Sequence, residues 1–304
     1  MGKSVLQIKN LSKNVGKKSI VRNINFEVNQ GEVFGLLGPN GAGKTTIIRA
    51  IVSLISRTSG TVLINGIDVS VDFKGTISEV GAIIENPEFY MYMSGWANLQ
   101  QFTRMSRKSI SEERMKEIVA RVKLTDAIQQ KVKTYSLGMR QRLGLAQALV
   151  HQPAILILDE PTNGLDPQGM AEFRDIIREV SAQGTAVLIS SHLLSEIQQI
   201  TDRFAIIEKG ELTHIETMSD LMNEAHAKYL LKVSKAAEAV RLLAAMEVEA
   251  VATDDQHLEV LMTEAQVPLV VKELVARDLA IFAVTAKTGS LEERFFELTE
   301  GGSL

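Results

Sequence analysis

The chain has 304 residues, 45% of them hydrophobic and 23% charged, with a formal net charge of −4. That is enough for one large domain or two modest ones, and wholesale disorder is disfavoured. No cysteine is present, which excludes disulfides, thiolate metal sites and cysteine nucleophiles. No block of like charge stands out, so nucleic-acid binding through a basic face is not expected. No apolar run approaches the roughly 18 residues that a membrane span needs. The start, Met1-Gly2-Lys3-Ser4-Val5, leads into a strand-like stretch and not into the apolar segment of a signal peptide. The expectation is a cytoplasmic protein whose work at a membrane goes through a partner.

Residues 1–216 alternate short apolar runs with helical patterns, which predicts an α/β domain with a mainly parallel sheet. Leu6–Ile8 and Ile24–Val28 alternate like half-exposed antiparallel strands. Val33-Phe34-Gly35-Leu36-Leu37 is continuously apolar, as a buried parallel strand is, and Ile47–Leu54 reads as the helix after it. Residues 88–150 turn helical. Ser111-Glu112-Glu113-Arg114 opens one helix there, with Met115, Ile118, Val119 and Val122 on one face. Ile155–Leu158 and Ala186–Ile189 are two further buried strands.

Residues 217–304 read as a separate small α+β domain. The order is strand (Tyr229–Val233), helix (Ala236–Met246), two short strands around Asp254-Asp255, helix (Val267–Arg277), strand (Ala280–Thr285) and a final helix. Ser290-Leu291-Glu292-Glu293 is a capping-box start for that last helix. The βαββαβ order is that of a ferredoxin-like domain.

The chemistry begins at Gly38-Pro39-Asn40-Gly41-Ala42-Gly43-Lys44-Thr45, which fits G-x-x-x-x-G-K-[ST]. Glycines let the backbone curl so that successive N–H groups face phosphate oxygens. Lys44 supplies a point charge for the β- and γ-phosphates, the Thr45 hydroxyl suits Mg²⁺, and Thr46 completes the phosphate-binding set. Ile155–Leu158 would deliver Asp159 at a strand's carboxyl end, where α/β sheets place ligands, as a Mg²⁺ group. Glu160 follows it as the candidate to orient or deprotonate attacking water.

Four more segments stand in order: Gly81-Ala82-Ile83-Ile84-Glu85-Asn86-Pro87, Ser136-Leu137-Gly138-Met139-Arg140-Gln141-Arg142, Pro161-Thr162-Asn163-Gly164-Leu165-Asp166-Pro167, and Ser190-Ser191-His192. With the phosphate loop and the Asp159-Glu160 strand, residues 4–216 resemble the ABC (ATP-binding cassette) ATPases. The resemblance implies a P-loop cassette that binds and hydrolyses ATP with Mg²⁺ and pairs head to tail with a second copy of itself. ATP would lie between the loop of one copy and Ser136 and Gly138 of the other, with Asp166 at the seam and His192 on the γ-phosphate. It also implies separately encoded membrane subunits, and a place on the cytoplasmic face of the membrane.

The sequence departs from that family in three places. The usual Leu-Ser-Gly-Gly-Gln reads Tyr135-Ser136-Leu137-Gly138-Met139. The adenine-stacking aromatic is replaced by Val15, which keeps an apolar contact only. Glu85 stands where most relatives have glutamine, and a carboxylate there would add a negative charge beside the metal. Glu85 and the wording of Ser136–Arg142 resemble the bacitracin and lantibiotic self-protection exporters. The function implied is therefore an ATPase that powers an exporter of a peptide antibiotic, drug or lipid-like compound. The alternatives are a soluble non-transport ABC ATPase and a P-loop phosphotransferase. Phe89, Tyr90, Tyr92 and Trp96 crowd four of the chain's 15 aromatics into eight residues. Such a cluster is either an interface for a membrane partner or packing within the helical part.

Overall fold

The structure is a computed structural model that describes residues 2–193, 195, 198–219 and 227–287. The capping-box helix expected from Ser290 lies outside the described residues. The chain divides into two compact units, Met1–Met218 and Ser219–Leu304.

In the first unit, β1 (Ser4–Val15) and β2 (Lys18–Asn29) form a long antiparallel hairpin. Both strands run well past the alternating segments Leu6–Ile8 and Ile24–Val28. Their outer halves are mostly polar and bury only Leu11 and Val21, so main-chain pairing with bulges carries them more than hydrophobic patterning does. With β4 (Ser59–Ile64) and β5 (Ile67–Asp68) they make a four-stranded sheet ordered β2-β1-β4-β5.

The second sheet carries the site. It comprises β3 (Val33–Leu37), β6 (Val80–Ile83), β7 (Ile155–Asp159), β8 (Ala186–Ser191), β9 (Arg203–Glu208) and β10 (Glu211–Thr217), ordered β10-β9-β3-β8-β7-β6. All neighbours are parallel except β9 and β10. Every residue of β3, β7 and β8 is buried, which explains their unbroken apolar runs. Parallel strands in register bring their carboxyl ends, and the loops after them, to one edge of the sheet.

Helix α1 (Lys44–Ile51) starts three residues before the expected Ile47, directly after Gly43. Helix α2 (Phe73–Ile77) precedes β6. Three helices fill the expected helical region: α3 (Gly95–Met105), α4 (Glu112–Arg121) and α5 (Leu137–Leu149). The Ser94, Ser111 and Ser136 hydroxyls cap them by accepting from the N–H of Ala97, Arg114 and Met139. Met115, Ile118, Val119 and Val122 are buried, as the spacing along α4 requires. Helix α6 (Pro167–Ala182) links β7 to β8 and is capped by Asp166.

The second unit holds β11 (Ala227–Val233), α7 (Ala236–Ala245), β12 (Glu249–Ala252), β13 (His257–Met262), α8 (Val267–Ala276) and β14 (Ile281–Lys287). Its antiparallel sheet is ordered β12-β13-β11-β14. Its core is its own: Tyr229, Leu231, Leu258, Val260, Leu243 and Leu274 belong to one cluster.

Candidate active site

The loop between β3 and α1 is shaped by its glycines. Gly41 and Gly43 have φ of 82° and 112°, a region that favours glycine. Gly38 has another constraint: a Cβ there would lie 2.2 Å from the Ile207 carbonyl oxygen of β9. The Ala42 N–H donates to the Pro39 carbonyl, and the Gly210 N–H donates to the Ala42 carbonyl, so the β9–β10 turn supports the loop. Asn40 and Gly41 are exposed, whereas Ala42 is buried. Thr45 and Thr46 stand in the first turn of α1.

Lys44 is only 5% exposed, and its ammonium sits in a cage of oxygens. It donates to the Gly38 carbonyl at 2.6 Å and the Pro39 carbonyl at 3.3 Å, and it pairs with Glu160 Oε1 at 3.1 Å. His192 Nδ1 lies 2.7 Å from Glu160 Oε2. Lys44, Glu160 and His192 thus form one line of contacts through a single carboxylate. Glu160 itself has φ of 48°, an uncommon conformation for a residue with a Cβ, and it turns the chain sharply at the end of β7.

Ser190 sets this geometry across two strands. Its hydroxyl donates to Asp159 Oδ1 at 2.6 Å, and the Glu160 N–H donates to its Oγ at 2.9 Å. Both carboxylate residues are therefore tied to β8 by one buried side chain. The sequence marks Ser190 only as the neighbour of His192; its β7-facing position becomes visible once β7 and β8 pair in register. Ser190→Ala leaves a buried carboxylate oxygen and a backbone N–H without this partner. It is expected to lower stability by about 1–3 kcal/mol and to reduce turnover more than nucleotide affinity, as denaturant titration and steady-state kinetics would read.

Glu85 sits two residues beyond the end of β6, beside β7 in the sheet. It also has positive φ, 64°, and its Oε1 pairs with the Arg49 guanidinium. Val15 is at the tip of the β1–β2 hairpin and is 61% exposed. The same hairpin passes beside the phosphate loop, where a Cβ on Gly43 would touch Val21 at 3.3 Å.

Ser136, Gly138 and Asp166 lie elsewhere. They line a polar cavity of about 380 Å³ between the N-terminal turns of α5 and α6. Ser136 and Asp166 are occupied as N-caps, Asp166 through the Gly169 N–H at 2.9 Å. Gln141 also lines this cavity; it is 2% exposed, and its Oε1 has no partner. The structure thus gathers Lys44, Asp159, Glu160 and His192 at one place. Ser136, Gly138 and Asp166 form a second face, and no hydrogen bond or ion pair among the described residues joins the two.

Near the aromatic segment, Tyr90 and Tyr92 are exposed and tilted against each other, and Trp96 is half-buried. Phe89 packs edge-on against Phe102 at 6.3 Å. Phe102 in turn lines a largely apolar groove of about 370 Å³ with Phe73, Ile77, Met105, Val150 and His151. Burial lowers the pKa of His151, which favours the neutral ring beside the Val80 carbonyl.

Similarity to known proteins agrees with this geometry. Residues 21–163 match the ABC transporter family model. The chain is 46% identical over 300 residues to an uncharacterised ABC transporter ATP-binding protein, YdbJ, of Bacillus subtilis (strain 168), covering 98% of this chain and 96% of the relative. It is 35% identical over 303 residues to the bacitracin transport ATP-binding protein BcrA of Enterococcus faecalis, covering 99% and 98%. A solved ATP-binding subunit of an ABC transporter superposes with a TM-score of 0.65 at 26% identity, over 71% of this chain and 91% of its own. The chain belongs to the ABC transporter family, as one of its ATP-binding, ATP-hydrolysing subunits.

Proposed function

We propose that this subunit powers an exporter, with a peptide antibiotic, drug or lipid-like compound as cargo, and that it works as a head-to-tail homodimer. The observation that carries the dimer is the division of the site: a complete Lys44–Glu160–His192 line on one face, and Ser136 and Gly138 around an open polar cavity on another. Ser136 at the N-terminus of α5 is suited to the phosphate of a nucleotide held by a second copy. The kinship with a bacitracin transport protein supports the cargo class.

Mg²⁺ fits the residues present. Thr45 and Asp159 offer oxygen ligands only, which suits a hard cation. In this reading the triphosphate supplies further oxygen ligands beside them. Thr45 and Glu85 would hold the ion, with Asp159 reaching it through water; the ion would neutralise charge developing on the phosphates. Lys44 binds the β- and γ-phosphates. Glu160 accepts the proton of the attacking water, and His192 fixes the orientation of that carboxylate.

ABC ATP-binding subunits partner with membrane subunits and commonly dimerise. No helix among the described residues is long and apolar enough to cross a membrane. We propose that the membrane subunit docks, on the cytoplasmic side of the membrane, at the segment that carries Phe89, Tyr90 and Tyr92, with the groove beside Phe102 next to Phe89. Residues 217–304 form an accessory domain in this reading. Tyr92, 68% exposed, makes the test. Tyr92→Ala is expected to weaken co-purification with the membrane subunit about tenfold, the effect of losing one aromatic anchor, with ATP affinity unchanged. An equal loss of both would place Tyr92 in folding and not in docking.

A further inference from the structure

Arg49 has no part in the site as described, yet its guanidinium holds the Glu85 carboxylate. Three placements make this pair more than a surface contact. First, Thr45 and Arg49 are four residues apart on α1, so they share one helix face about 6 Å apart along the axis. Second, side chains on a helix lean toward its N-terminus, so Arg49 leans toward the turn that carries Thr45. Third, Glu85 emerges from the carboxyl end of β6, and its neighbour β7 ends in Asp159. The Glu85 carboxylate is therefore held by the helix face that carries Thr45 and on the same edge of the sheet as Asp159.

We propose that Arg49 is a positioning residue that holds Glu85 away from the metal position, and that Mg²⁺ arriving with ATP competes with Arg49 for the same carboxylate. The inference rests on the reading that Glu85 reaches the metal. The pair opposes release of Glu85, and it is a light restraint. Arg49 and Glu85 side chains are 38% and 65% exposed, and exposed pairs hold an equilibrium by only about two- to fivefold. A carboxylate suits such a latch, whereas a glutamine at the same place has no charge to pair with arginine.

The test measures affinity for a fluorescent, non-hydrolysable ATP analogue on the full chain, once with Mg²⁺ and once with EDTA. The ratio of the two affinities is the gain that the metal supplies. Arg49→Gln is expected to raise that gain about threefold, with the EDTA value unchanged. Arg49→Lys, which keeps the charge, is expected to stay near wild type. In a Glu85→Ala background, Arg49→Gln is expected to change nothing. An unchanged gain in Arg49→Gln, or the same rise in the Glu85→Ala background, overturns the latch. If Glu85→Ala alone leaves the gain intact, the metal role of Glu85 falls and the latch falls with it. If Glu85→Ala lowers the gain while Arg49→Gln does nothing, the latch alone falls.

Discussion

Glu160→Gln is expected to slow ATP turnover at least about 100-fold, the low end of what a positioned general base contributes, while ATP affinity stays within about threefold of wild type. The side chain keeps its size: its amide oxygen can still accept from Lys44 while its amide N–H donates to an unprotonated His192 Nδ1, so the loop geometry survives. What disappears is a carboxylate able to take a proton. Glu160 Oε2 lies 2.7 Å from His192 Nδ1 and Oε1 lies 3.1 Å from the Lys44 ammonium, so both oxygens are aimed by charged or polar partners. In single-turnover experiments the variant should bind nucleotide and fail to release phosphate. Turnover above one tenth of wild type would assign the proton to another group. If Ser136 and Gly138 close on nucleotide bound by a second copy, the same variant should accumulate as a dimer with ATP on a sizing column.

Lys44→Ala is expected to lower ATP affinity about 100-fold, equivalent to about 2.7 kcal/mol, and to remove turnover with it. Two losses add. The cation that faces the phosphates goes, and charge-assisted hydrogen bonds of this kind are worth about 1.5–3 kcal/mol each. The Glu160 carboxylate also keeps only His192, which leaves an anion without its cation beside the bound triphosphate. Lys44 is buried and donates to two backbone carbonyls, so Gly38 loses this donor as well, while Pro39 keeps the Ala42 N–H. Equilibrium titration with a fluorescent nucleotide would read this directly. Affinity within tenfold of wild type would mean that the backbone N–H groups of the loop do most of the binding.

Much of the fold and the site was legible along the chain because the relevant signals are local. The unbroken apolar runs of β3, β7 and β8 mark strands buried on both faces. Gly38–Thr45 identifies a phosphate loop because only glycine-rich backbone curls in that way. Ser111 marks a helix start because an N-cap acts within three residues. Where patterning faded, so did the reading. The outer halves of β1 and β2 are mostly polar, with Leu11 and Val21 too far apart to mark a strand by alternation, and main-chain pairing reveals them. The start of α1 at Lys44 is set by Gly43 and the loop, and it precedes the first apolar residue of the helix.

The sequence by itself determined the catalogue of groups: a phosphate loop, Asp159 and Glu160 after a buried strand, Ser136 before a helix, His192 after another strand. Their order and spacing were enough to point to the family. Only the tertiary structure decided which groups act on one another. Ser190 reaches Asp159 and Glu160 because β7 and β8 are adjacent, although 31 and 30 residues separate them along the chain. Arg49 meets Glu85 across 36 residues, and the division between the Lys44 face and the Ser136 face follows from where α1, α5 and α6 begin. The physical reason is common to all of these. Strand, loop and cap preferences are properties of neighbouring residues, whereas hydrogen bonds and ion pairs in a site depend on the register of a sheet, which distant segments set together.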